Sequence, residues 1–320
     1  MWMNWVRLNI LATFALALLL SACGKELPFY EQTTTPLRLE MSYGDINYSI
    51  QNNDFSTGKI RYIIRTFPVG AIYSEVDPIQ EFIIVKDLKD SLDHVVTLDF
   101  RVGSYDVIVW SDLIKAGEEK SCYDADNFGR VTLDVGRTGN NEYRNAFRGF
   151  ATVEVSETDE PDVLEVEMES PMARFELVSN DLEQFVGGHT RRAGGESILK
   201  DYKAVIYYTG FMPYVFSLYT DKPVDSTNGV MFEASLTQLS DTEVRLGYDY
   251  VFVGEKTSAV TVRVGVYDAE GNQVSMSAPA KVSLRRGRCS VKTGNFLTSK
   301  SSLDGIYIDK EFEGSFDIEL

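Results

Sequence analysis

The sequence predicts an all-β protein of two tandem antiparallel β-sandwich domains, and three observations carry that prediction. From Leu37 to the C-terminus, apolar residues recur at every second position, the period of a half-buried strand, and seldom at the helical period of 3.6. The strand-like stretches are short, are separated by turn residues, and never alternate with helical segments as a βαβ chain would. The length, 320 residues, suits two cores at roughly 150 residues per domain. The natural break falls at Ser170-Pro171, giving domains 37–170 and 171–320.

Taken in order, residues 1–22 read as an export leader. Arg7 supplies a basic start, and LNILATFALALLL (residues 8–20) is an apolar run too short for the roughly 20 residues that span a bilayer. Residues 23–36 are polar after Cys23 and lack a periodic pattern, which predicts a tether. Strands are expected at 37–43, 58–67 and 80–86, then in HVVTLDFRV (94–102), where His94, Val96, Leu98, Phe100 and Val102 share a face. A tight turn at Gly103-Ser104 predicts that YDVIVWS (105–111) returns as the second strand of a hairpin. Residues 112–120 and 180–186 each suit a short helix or turn, the latter behind Asn180 and Asp181 as caps.

Further strands are predicted at 146–155 and in DVLEVEME (162–169), with Leu164, Val166 and Met168 facing inward and Glu165, Glu167 and Glu169 outward. The second half continues with 171–179, 202–208, 213–219 and 230–236. Val244, Leu246, Tyr248, Tyr250 and Phe252 line one face of the next strand, and Val260, Val262, Val264 and Val266 line another. A strand at 281–293 follows, and the last segment sets Phe312, Phe316, Ile318 and Leu320 on one side, as the closing strand of its own domain.

The chemistry begins where the leader ends. Small residues before a cysteine, in Leu20-Ser21-Ala22-Cys23, resemble the lipobox of bacterial lipoproteins. That resemblance implies that the Cys23 thiol receives a diacylglycerol, that the leader is cut before it, and that the mature chain is 23–320. Two or more acyl chains, at about 0.8 kcal/mol per buried methylene, hold such a chain on a membrane. The rest of the sequence points away from catalysis. There are 31 Lys and Arg against 48 Asp and Glu, a net charge of −17, which disfavours nucleic acid as a partner.

With two histidines and three cysteines, a metal site rich in these residues is not expected. DADNFG (124–129) starts like a calcium loop but has Phe128 at its fifth position and Val135 at its twelfth, so it reads as an acidic turn. GGHTRRAGGES (187–197) matches no phosphate-binding fingerprint and reads as a loop. His94 reads as a packing residue, His189 has no nucleophile beside it, and Cys122 and Cys289 read as unpaired thiols. No GxSxG, HExxH, CxxC or SxxK is present, so no enzyme and no cofactor beyond the Cys23 lipid is expected. The competing expectation is a surface glycan-binding lipoprotein of a nutrient-uptake system, with Trp110 and exposed tyrosines as a stacking platform.

Several segments occur in an order that resembles lipoproteins of the fimbrillin superfamily. They are KIRYIIRTFPVG (59–70), YDVIVWSDLI (105–114) and NNEYRNAFRGFATVEV (140–155), followed by PMARFELVSNDLEQF (171–185) and YYTGFMPYVFSLYTDKP (207–223). VSLRRGRCSVKTGNFLT (282–298) resembles the closing strands shared with FimB-type fimbrial anchors. The resemblance implies tandem transthyretin-like sandwiches at the outer membrane, serving as anchors, tips or subunits of type V pili. It further implies partnership with other fimbrial subunits through β-strand complementation. Subunits of that superfamily are cut after Arg or Lys near the N-terminus, and Arg38 is the only basic residue between Lys25 and Lys59, which makes it the candidate processing site.

Overall fold

β-Branched and aromatic residues at alternate positions favour pleated, half-buried backbone, and the chain forms strands almost wherever that alternation holds. The structure, a computed structural model, describes residues 33–43, 58–88, 94–157, 162–187, 198–254, 257–300 and 315–319. The first strands are β1 (Thr34–Ser42), β2 (Lys59–Pro68), β3 (Gln80–Asp87), β4 (His94–Arg101), β5 (Gly103–Ile114), β6 (Tyr123–Asp124) and β7 (Val131–Leu133). Next come β8 (Ala146–Val155), β9 (Asp162–Glu169), β10 (Met172–Ser179), the helix α1 (Leu182–Gly187), β11 (Lys203–Tyr208), β12 (Met212–Ser217), β13 (Lys222–Thr227) and β14 (Met231–Ser235). The series ends with β15 (Thr237–Gln238), β16 (Val244–Phe252), β17 (Thr257–Tyr267), β18 (Gln273–Met276), β19 (Ala280–Arg285), β20 (Arg288–Gly294) and β21 (Ser315–Glu319).

A seven-stranded sheet runs in the order β3-β2-β5-β8-β9-β1-β4. β8 and β9 share only the pairs Arg148↔Glu169 and Gly149↔Met168, and there the sheet folds over. Leu37 and Leu39 of β1 thereby share a core with Tyr62 and Ile64 of β2 and Val107 and Val109 of β5. The fold-over is complete enough for the two end strands to meet: Phe82 of β3 stacks on Phe100 of β4 with ring centroids 5.4 Å apart. In the second half, the order β15-β16-β10-β20-β21 shares a core with β14-β11-β17-β18, to which β19 adds through β17. Within these sheets β1 pairs antiparallel with β4 and parallel with β9, and β10 repeats the arrangement with β16 and β20. Among the described residues the named strands therefore pair antiparallel apart from one parallel pair in each half, and Met276 adds an isolated parallel bridge to Lys300.

A fourth sheet crosses from one half to the other. The order β13-β12-β7-β6 joins Val215 to Thr132 and Phe216 to Val131. Beneath it, Ile63, Phe67, Ile108 and Trp110, on the opposite faces of β2 and β5, enter the core that also contains Phe175, Phe216 and Phe252.

Three expectations from the sequence are corrected. Gly103 does not turn a hairpin: β4 pairs with β1, whereas β5 lies between β2 and β8. Residues 112–114 prolong β5 instead of opening a helix, because Leu113 and Ile114 continue its buried run. The stretch 281–293 is two strands, β19 and β20, broken at Gly287, whose φ of +69° suits glycine. The helix expected at 180–186 is present as α1.

Two buried carboxylates tie distant segments together. Asp249 of β16 forms an ion pair with Arg144, which ends a short 3-10 turn, and both side chains are essentially inaccessible to solvent. The Tyr208 hydroxyl donates to Asp249 at 2.7 Å and the Gly139 amide donates at 3.1 Å. Next to them, Asn140 exchanges two 2.8 Å hydrogen bonds with the backbone of Tyr248, and it does so at φ +43°, which asparagine tolerates better than most residues. Asp106 of β5 accepts from the Gly70 amide, the Tyr73 hydroxyl and the Thr152 hydroxyl, each at 2.8 Å. It thus pins the connection that delivers the chain to β3. Burial raises the Asp106 pKa, but the three donors outweigh it and hold the carboxyl below its usual range. Burial and the bond to Asp106 push Tyr73 up to about 12.

Replacing Arg144 by Met should destabilise the protein by about 3–5 kcal/mol in chemical denaturation, because Asp249 is left charged and buried. The double variant Arg144→Met/Asp249→Asn should recover part of that loss, which a double-mutant cycle will read as coupling. Asp106→Asn should cost about 1–3 kcal/mol at neutral pH. A carboxyl depressed on folding stabilises above its unfolded pKa and loses that contribution as pH falls through the folded value. The gap in stability between wild type and Asp106→Asn should therefore close in acid, as followed by thermal melts across pH.

Candidate functional site

Cys23, and with it the whole lipobox, lies outside the described residues. Arg38 sits on β1 between Leu37 and Leu39, both fully buried, and the alternation of the strand turns the arginine outward. Its side chain is about half exposed at 47% and pairs with Glu40 at 2.9 Å, a surface contact worth under about 1 kcal/mol. The backbone is held far more firmly than the side chain. Arg38 lies opposite Thr97 of β4 on one edge and Val163 of β9 on the other. Removing the chain through Arg38 would take Leu37 and Thr35 from their buried positions and free the Thr97–Arg101 part of β4, while Leu39–Met41 keep β4 and Leu39–Ser42 keep β9 as partners.

The remaining sequence candidates separate on burial. Trp110 is 0% exposed; its ring packs edge-on against Tyr123 and its Nε1 donates to Asp112 at 2.8 Å. The expected stacking platform therefore lacks its tryptophan: β6 and β7 cover the face of β5 from which it projects. Asp124 and Asn127 each accept from a backbone amide two residues on, Asp126 and Gly129, so the acidic turn is stabilised by its own side chains. Among the described residues, no group of three His, Cys, Asp or Glu is disposed to hold a metal. His189 and the glycine-rich loop after Gly187 lie outside the described residues, as does the His94 side chain, although the backbone of His94 opens β4.

Cys122 and Cys289 are buried and not joined in a disulfide. Cys122 lies on the wall of a cavity of about 370 Å³, together with Lys115, Glu118, Arg137, Asn141 and Tyr143. Arg137 donates to Glu118 at 2.5 Å, and the Asn141 amide approaches the sulfur at 3.5 Å. Burial pushes the Cys122 thiol above its ordinary range, against the opposing pull of Arg144, Arg137 and Asn141. A thiol kept protonated in this way is a poor nucleophile.

The groups that join the edges of the curled sheet are not among the candidates legible in the sequence. Gln80 and Lys86 of β3 both reach backbone groups of β4. Their alternate spacing, together with Phe82 and Ile84, marks one strand face, but only the fold-over brings that face to β4.

Comparison with curated protein sequences returns no match. Among solved structures, the chain is similar to the fimbrial anchor protein Mfa2 from Porphyromonas gingivalis, at 9% identity over 82% of this chain and 91% of that one, with a TM-score of 0.43. It is similar also to the tip fimbrial protein Mfa3 from the same organism, in a C-terminally truncated form, at 11% identity over 89% and 100% of the two chains, with a TM-score of 0.45. The profile of one sequence family matches residues 28–320, nearly the whole chain, and the protein belongs to that family, which is described as a family of unknown function, DUF6562.

Proposed function

We propose that this protein is a lipid-anchored, non-enzymatic outer-membrane subunit that contributes to fimbrial anchoring, assembly or adhesion, and that it works by strand pairing. The observation that carries the reading is the lipobox-like Leu20-Ser21-Ala22-Cys23 directly behind an export leader. The fimbrillin-like order of segments along the chain supports the fimbrial part of it. The arrangement of each half around a first strand held between an antiparallel and a parallel partner supports two tandem sandwich domains divided near Ser170-Pro171. In this reading Cys23 carries the lipid and the chain partners other fimbrial subunits.

Arg38 is the candidate switch between two fates. Cut after Arg38, the protein loses its lipid and the first half of β1, which frees the Thr97–Arg101 part of β4; uncut, it stays an anchor. The two-sided backbone pairing of β1 favours the uncut form, because cleavage requires the strand to leave both neighbours first. The glycan-binding reading is weakened by the burial of Trp110.

Labelling cells with palmitate should mark the wild-type protein and leave Cys23→Ala unlabelled; persistent label on the variant would remove the anchor. N-terminal analysis of the cell-surface form should find Cys23 as the first residue. A start at Leu39 would reassign the protein from anchor to polymerising subunit.

A further inference from the structure

β3 and β4 are the two ends of the seven-stranded order, brought side by side by the curl of the sheet. Among the described residues they share no backbone ladder: β3 pairs with β2 and β4 with β1. Side chains span the seam instead. The Gln80 amide donates to the Asp99 carbonyl and accepts from the Arg101 amide, both at 3.0 Å. These two groups flank Phe100, and together they are the pair that one residue of a parallel neighbouring strand engages. Lys86 donates to the Val95 carbonyl at 3.0 Å. Because Gln80 faces the end of β4 and Lys86 its beginning, β3 and β4 run in opposite directions.

The Gln80 side chain thus makes the pair of contacts that one residue of a strand parallel to β4 would make. Parallel to β4 is antiparallel to β3, the same relation that β2 has to β3 on its other edge. The outer face of β3 defines what the strand carries. It reads Glu81, Ile83, Val85, Asp87, with Ile83 61% and Val85 48% exposed. β2 answers that face with Arg65 opposite Glu81, Ile63 opposite Ile83, Arg61 opposite Val85 and Lys59 opposite Asp87, and Arg65 forms an ion pair with Glu81. On its inner face β2 sends Ile60, Tyr62 and Ile64 into the core that Phe82 and Ile84 of β3 border. Beyond Gln80, a cavity of about 280 Å³ lined by Thr33, Ile79, Arg101, Val102 and Tyr105 lies where the leading end of such a strand arrives.

We propose that the seam between β3 and β4 is a docking site for an extended segment of a partner protein. The segment runs parallel to β4, carries basic residues opposite Glu81 and Asp87, and carries apolar residues between them and on its inward face. Gln80, Lys86 and the Phe82–Phe100 stack hold the seam closed until it binds. The proposal rests on the strand-pairing reading and adds the place of entry, which requires neither acylation at Cys23 nor cleavage at Arg38. A second copy of β3 is a poorer occupant. Centred on Ile84, two antiparallel copies set Glu81 against Asp87; centred on Ile83, they set Glu81 against Val85.

The test uses the soluble mature chain and a fluorescent peptide with the β2 sequence KIRYIIRT (residues 59–66), read by anisotropy. Wild type should bind the peptide. Gln80→Ala should bind about tenfold tighter, because two backbone groups lose their competitor. Ile83→Asp, at an exposed position that leaves the fold intact by circular dichroism, should bind at least about tenfold weaker. A peptide of the same composition with its alternation scrambled should not bind. Binding that neither substitution changes would place strand capture elsewhere and overturn the seam while leaving the strand-pairing reading in place. Failure of every variant to bind would overturn the proposal outright, as would self-association of the chain alone that Ile83→Asp abolishes, which would make a second copy the occupant.

Discussion

β2 and β5 have no solvent face along most of their length, and the two halves of the molecule depend on that. Tyr62, Ile64, Val107 and Val109 point into one core while Ile63, Phe67, Ile108 and Trp110 point into the other. A strand with one wet face has its register fixed by the sign of the alternation, since a slip of one residue exchanges inside for outside. That protection is missing where both faces are apolar. Buried polar groups supply it here. Asp112 of β5 is fully buried and receives Arg61 of β2 through two hydrogen bonds, at 3.0 and 2.6 Å, together with Trp110 and Ser121. A slip of β2 against β5 would strand that carboxylate, at a cost larger than any single apolar contact returns.

The same double burial explains what could be read from the sequence. Strands with one exposed face, such as DVLEVEME, show their alternation plainly, and β9 covers the expected residues. β5 is buried continuously from Tyr105 to Ile114, but Ser111 and Asp112 interrupt the apolar pattern near its end, so the sequence there suits a short helix or turn as well as a strand. The Gly103 error has a different origin. A turn signal reports that the chain reverses locally, not which strands then become neighbours, and here the chain passes from one layer to the other. The short strands β6, β7, β13, β15 and β18 escaped notice because two to six residues, in β13 including Pro223 and Asp225, hold too little pattern to register. The site divides in the same way. The expectation at Cys23 draws only on residues adjacent in sequence, whereas Gln80 and Asp99 meet only after the sheet has curled.

Edges are the hazard of any sheet protein, and this one treats them unequally. β4 has backbone groups at Val95, Asp99 and Arg101 engaged by β3 side chains, and β9 turns Glu165, Glu167 and Glu169 to solvent. The surplus of acid that gives the net charge of −17 is partly spread along such faces, where it keeps a strand-rich surface dispersed. β3 lacks this protection: it keeps two exposed aliphatic residues at the centre of its outer face.

Chain order gives β1 a distinct place among these edges. Its antiparallel partner β4 follows within about one domain's early strands, but its parallel partner β9 pairs Leu37 with Asp162, and must be made before that ladder can close. Loop-closure entropy makes such distant pairings late events in folding. Until β9 arrives, β1 is itself an edge, with Arg38 on an unpaired side. Once β9 is in place, the Arg38–Leu39 bond lies in the interior of a ladder. Access of a protease or of a foreign strand to this position is therefore governed first by the order in which strands are delivered, and only afterwards by the stability of the finished sheet.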